Sequence, residues 1–154
     1  MGNTVLTATF INYSSTLWYR DAMGWQAQAG VAGISQQPPT SLQAYSGSGV
    51  LQYEQELGGT IADGDAGIWC CWNNGSQRFG VKLWAGMQVL GMGDRPDWYH
   101  MNDSSPNSNS NINWVKLSDP SDNYTWPSSL GFKITAVPTS SHTTLAVTVT
   151  IQNT

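Results

Sequence analysis

Leu145-Ala146-Val147-Thr148-Val149-Thr150-Ile151 alternates large apolar residues with small or polar ones without a break. Successive side chains of a strand point to opposite faces, so this run turns Leu145, Val147, Val149 and Ile151 toward a core. The same period recurs in Leu6-Thr7-Ala8-Thr9-Phe10, Phe79-Gly80-Val81-Lys82-Leu83 and Phe132-Lys133-Ile134-Thr135-Ala136. Each reads as a half-buried strand. Val50-Leu51-Gln52-Tyr53-Glu54, Gly67-Ile68-Trp69-Cys70-Cys71-Trp72 and Ile112-Asn113-Trp114-Val115-Lys116-Leu117 are short, rich in β-branched and aromatic residues, and bounded by turn formers.

Asn73-Asn74-Gly75-Ser76 stands between two of these runs. An Asn-Gly pair flanked by strands is a strong hairpin signal, so Ile68 to Trp72 and Gln77 to Trp84 are expected to pair antiparallel. No stretch sustains three helical turns, and breakers such as Gln36-Gln37-Pro38-Pro39, Gly47-Ser48-Gly49 and Trp126-Pro127-Ser128 interrupt the apolar pattern. Many short strands at this spacing predict an all-β chain: an antiparallel β-sandwich without substantial helix, spanning 1–154 as one domain. The polar run 102–111 reads as a solvated loop.

A chain of 154 residues buries roughly two-thirds of its unfolded surface, enough for a single core. Charged residues make up 10%, against about 25% in ordinary globular chains. Six basic residues and a net charge of -4 argue against nucleic acid, whose phosphates need clustered Lys and Arg. They argue equally against electrostatic attachment to anionic lipid, and leave neutral glycans and zwitterionic headgroups as the expected partners.

Met1-Gly2-Asn3-Thr4 has neither a basic nor a continuous apolar leader segment, so the expected location is cytoplasmic, or outside the cell by release without a signal peptide. Adjacent cysteines at 70 and 71 point to opposite faces of a strand, which disfavours a mutual disulfide and predicts two buried or half-buried thiols. With no second Cys or His cluster beside them, no metal and no cofactor are expected.

Catalytic signatures are missing: no nucleophile elbow, no His-Glu-x-x-His and no phosphate-binding loop. Asp94, Asp97 and His100 would form a general acid/base cleft only by converging, and His142 adds little, so no enzyme and no catalytic residues are expected. Asp63-Gly64-Asp65 and Asp119-Pro120-Ser121-Asp122 carry oxygen ligands but read as turn formers rather than calcium loops.

Eight tryptophans exceed what a core of this size needs, so some rings must reach the surface. Trp84 lies out of phase with Phe79, Val81 and Leu83, which predicts a ring that is exposed or capped by a loop. In Gly91-Met92-Gly93-Asp94-Arg95-Pro96-Asp97-Trp98-Tyr99-His100 adjacent rings sit among charges. A flat ring beside carboxylates and amides can stack on a sugar or attract a quaternary ammonium group. Trp98, Tyr99 and Trp84 are therefore the expected stacking residues, with Asp94, Arg95, Asp97 and His100 as hydrogen-bonding partners and Asn73 and Asn74 at the hairpin tip. A ring that merely plugs the sandwich end is the alternative.

An opening strand followed by Asn12-Tyr13-Ser14-Ser15-Thr16-Leu17, then Gly64-Asp65-Ala66-Gly67-Ile68-Trp69, Gln77-Arg78-Phe79-Gly80-Val81 and an aromatic run ending in Trp98-Tyr99, resembles small fungal and bacterial β-sandwich proteins. The resemblance extends to aegerolysins, fungal fruit-body lectins and the actinoporins of sea anemones. The resemblance implies a ligand held by Trp98 and Tyr99, as a headgroup is in the aromatic loop of actinoporins. The chain enters the strand Leu6 to Phe10 almost at once, leaving no space for the amphipathic helix of actinoporin pores. The expected function is thus a lectin-like protein binding neutral glycan in a defence or toxin role. The alternative is a cytolysin that binds phosphocholine or sphingomyelin, of actinoporin or aegerolysin type. A homodimer joined at an uncovered edge strand would add avidity.

Overall fold

In a computed structural model the strands are β1 (Thr4–Asn12), β2 (Trp18–Ala27), β3 (Ala32–Gln36), β4 (Ser41–Leu42), β5 (Gly47–Gln55), β6 (Ala66–Asn73) and β7 (Arg78–Ala85). They continue as β8 (Gln88–Val89), β9 (Met92–Gly93), β10 (Asp97–Met101), β11 (Trp114–Lys116), β12 (Tyr124–Thr125), β13 (Phe132–Ser140) and β14 (Thr144–Asn153). The residues described are 4–27, 32–55, 66–85, 88–89, 92–93, 96–102, 112–127, 131–141 and 144–154, and among them there is no helix.

Two 6-stranded sheets form the layers, ordered β12-β13-β14-β1-β5-β3 and β11-β10-β7-β6-β2-β4. Among the described residues, neighbouring strands pair antiparallel with one exception. β1 and β14 run parallel, with Leu6 beside Leu145 and Phe10 beside Val149. First and last strands thus lie side by side at the centre of one sheet, where their in-phase alternation feeds the same core.

That alternation is realised as read. Leu145, Val147, Val149 and Ile151 are buried, and so are Leu6, Ala8, Phe10, Phe79, Val81 and Leu83. Between the sheets the rings meet edge-on or tilted: Phe10 with Trp72 at 5.4 Å, Trp18 with Phe79 at 5.2 Å and Phe79 with Trp126 at 5.7 Å. Such offset geometry aligns ring edges with ring faces and adds to simple burial.

The Asn-Gly hairpin also forms. Gly75 takes φ 93°, and β6 and β7 pair from Ala66 with Ala85 to Asn73 with Arg78. β2 shows no clear alternation in sequence, because the register with β6 shifts between Arg20 and Ala22. A bulge there places Asp21 against β6 and β7, and reverses the phase that a sequence pattern would reveal.

Candidate functional site

β10 divides the predicted site in two. Its register sets Trp98 opposite Leu83, inside the sandwich, and Asp97 and Tyr99 opposite Trp84 and Lys82, on the outer face. Trp98 is 0% exposed and packs in the core cluster, and its indole N–H has no partner among the described residues. The expectation that Trp98 offers a ring to a ligand is therefore wrong. Strand alternation allows only one of the adjacent rings at 98 and 99 to face outward, and it is Tyr99.

His100 follows Trp98 inward. Its ring stacks on Tyr124 at 3.6 Å with 9° between planes, and Nδ1 lies 3.3 Å from the Met101 carbonyl oxygen. Burial holds its pKa below the usual histidine value, against a smaller upward pull from that backbone contact. With its ring covered, His100 is not a ligand donor on the outer face, and it cannot join Asp97 in an acid/base cleft.

Asn73 and Asn74 serve the hairpin. Asn73 Nδ2 donates to Asp21 Oδ2 at 2.7 Å and its Oδ1 accepts from the Gly75 N–H. Asn74 Oδ1 accepts from the N–H groups of Ser76 and Gln77. These amides close the turn. Asp94, Arg95, His142 and the Asp63 loop lie outside the described residues.

The outer face of the second sheet gathers a candidate site. Across it run Gly24 on β2, Trp69 on β6, Lys82 on β7, Tyr99 on β10 and Lys116 on β11, each opposite the next in register. A second row holds Gly67, Trp84 and Asp97. Both indoles lie over glycines. A Cβ at Gly24 would fall 2.6 Å from Trp69 Cε2, and one at Gly67 would fall 2.6 Å from Trp84 Cζ3. Glycine removes the side chain that would hold each ring off the sheet, so the rings spread across the strands.

Lys82 rises between the rings of Trp84 and Tyr99. Its Nζ is 4.9 Å from the Trp84 ring centroid and 5.3 Å from that of Tyr99, within cation–π range. Desolvation by its neighbours lowers its pKa from the ordinary lysine value. Asp97 instead pairs with Lys116, Oδ2 to Nζ at 3.1 Å. The result is an aromatic platform with an ammonium group set into it and an ion pair at its border. It suits a ligand with a flat apolar face and a phosphate or hydroxyl oxygen to accept from Lys82.

Of the residues expected from sequence, Trp84, Tyr99 and Asp97 share this outer face; Lys82 and Trp69, which lie beside them, are not among those expectations. Trp69 is out of phase with Ile68, Cys70 and Trp72, a signal that was present; its glycine partner at 24 becomes visible only with the register.

At the hairpin end a pocket of about 90 Å³ is lined by Gln77, Arg78, Met101, Tyr124 and Trp126, among others. Arg78 is buried there, with Nε 2.9 Å from Asp21 Oδ2. Cys70 and Cys71 are both buried and free. Burial pushes the Cys70 thiol well up, and the Cys71 thiol up to about 12 despite the opposing pull of Arg78. Among the described residues no group of His, Cys, Asp and Glu is arranged to hold a metal.

Fold and platform together define an all-β, two-sheet sandwich with an aromatic face on one side. Among solved structures this fold is similar to that of the lipid binding protein Nakanori, with a TM-score of 0.51 and 10% identity, covering 96% of this chain and 70% of that one. At such identity the likeness is one of fold. No protein-family model matches the chain, and no curated protein matches it in sequence.

Proposed function

We propose that this protein binds membrane lipid, holding a zwitterionic headgroup on the platform of Trp69, Lys82, Trp84 and Tyr99. The observation that carries this reading is Lys82 set between two rings. A headgroup phosphate accepts from its ammonium while the apolar parts of the lipid lie on the indoles. The sandwich shared with a lipid binding protein supports the same choice. Co-sedimentation with phosphatidylcholine and sphingomyelin vesicles tests it: binding is expected, and protein left wholly in the supernatant would refute it.

A second reading takes a neutral glycan on the same rings. The observation favouring it is the way both indoles lie across Gly24 and Gly67, which offers broad walls to a sugar ring. A glycan array separates the two readings, because a sugar-only protein leaves lipid vesicles untouched. A toxin or defence role would add leakage to binding, which dye release from the same vesicles measures. Neither reading uses a catalytic residue.

A further inference from the structure

Asn12 is fully buried at the end of β1 and ties two loops together. Its Nδ2 shares its hydrogens among the carbonyl oxygens of Thr16 at 2.8 Å, Gln43 at 3.0 Å and Leu42 at 3.1 Å. Its Oδ1 accepts from the Ser14 hydroxyl at 2.6 Å and the Ser14 N–H at 3.0 Å. The loop after β1 is thereby locked to the turn before β5, and the Tyr45 N–H donates to the Ser14 carbonyl oxygen at 2.8 Å to complete the joint.

Each locked loop carries a tyrosine that is largely open to water. Tyr13 is 52% exposed and Tyr45 67% exposed, and Tyr19, just inside β2, is 53% exposed. Tyr45 holds φ 67°, a left-handed conformation that glycine or asparagine adopts far more easily. A strained residue whose ring faces water points to a use for that ring outside the fold.

The loop segments themselves are uncharged. Tyr19 pairs with Asn73, so the hairpin 74–77 shares this end, and residues 13–17, 43–46 and 74–77 contain no Asp, Glu, Lys or Arg. Tyrosine partitions to the level of lipid headgroups, its ring in the apolar boundary and its hydroxyl in water. Anionic membranes are held by clusters of Lys and Arg, and these loops offer none.

Resting on the lipid reading above, we infer that this tyrosine-bearing end is the surface laid against a zwitterionic bilayer interface, with Tyr13 and Tyr45 as its anchors. Tyr19 stands on the same outer face as the platform, at its hairpin end.

The test uses the full chain with phosphatidylcholine vesicles. Replacing Tyr13→Ser and Tyr45→Asn together is expected to lower vesicle partitioning about tenfold while leaving the thermal midpoint equal or higher, because the strain at residue 45 is relieved. In parallel, Tyr45→Cys labelled with a polarity-sensitive dye is expected to shift to the blue on vesicle addition, and Val137→Cys on β13 is not. Wild-type protein that binds while the labelled residue 45 stays in water would overturn this inference and leave the lipid reading standing. A wild type that binds no vesicle would remove both. Loss of self-association instead of vesicle binding in the double variant would assign the surface to a second copy and overturn the inference as well.

Discussion

Trp84 and Gly67 face each other across β7 and β6, and the indole fills the space that a side chain at 67 would occupy. The platform depends on this absence, since any Cβ at that position meets the ring.

Gly67→Ala is accordingly expected to lift Trp84 off the sheet and to destabilise the protein by ~1–3 kcal/mol, the range for overpacked sites. Urea denaturation measures the loss and tryptophan emission reports the displaced ring. An unchanged spectrum with unchanged stability would show that the indole does not lie there.

Trp98 belongs to the core, so Trp98→Ala should lower stability by ~3–5 kcal/mol through the cavity it leaves. Trp98→Phe should be much milder, because it removes an indole N–H that lacks a partner and whose burial costs ~1–3 kcal/mol. Equilibrium unfolding of both variants checks the pair. A stable Ala variant that had lost ligand binding would return this ring to the site.

Both thiols are held protonated by burial. A disulfide reagent at about pH 8, where an exposed thiol is partly ionised, should leave the native protein unmodified and react with both cysteines once it unfolds. Rapid labelling of the folded chain would mean that this part of the second sheet opens.

His100 supplies a pH dependence of known sign. Its folded pKa lies below the unfolded value, so the unfolded state takes up the proton first as pH falls. Stability is expected to be fully present above about pH 6.5 and to decline below it. Tyr124 and Trp126, whose rings face His100, carry no acid to offset the charge. Thermal unfolding across this window should show the decline, and His100→Gln should flatten it.

The fold was readable where burial alone decides the residue choice. Val147 and Val149 alternate with threonines because one face of β14 is dry, and Asn74-Gly75 marks a turn because Gly75 needs a positive φ. The site was only half readable. Trp98 and Tyr99 fit either phase of β10, and the pairing of Trp98 with Leu83 settles which faces in. β2 was hidden by its bulge at Asp21, and with it the glycine beneath Trp69. Register carries that information, and neighbours in space are not neighbours in sequence.

The most direct measurement compares vesicle binding of the wild type with that of Trp84→Ala and Lys82→Ala, each confirmed as folded by circular dichroism. A ring or ammonium contact worth ~1–1.4 kcal/mol predicts a five- to tenfold weaker partition for each variant on phosphatidylcholine and sphingomyelin vesicles. Folded variants that bind as tightly as the wild type would contradict the platform as the lipid site.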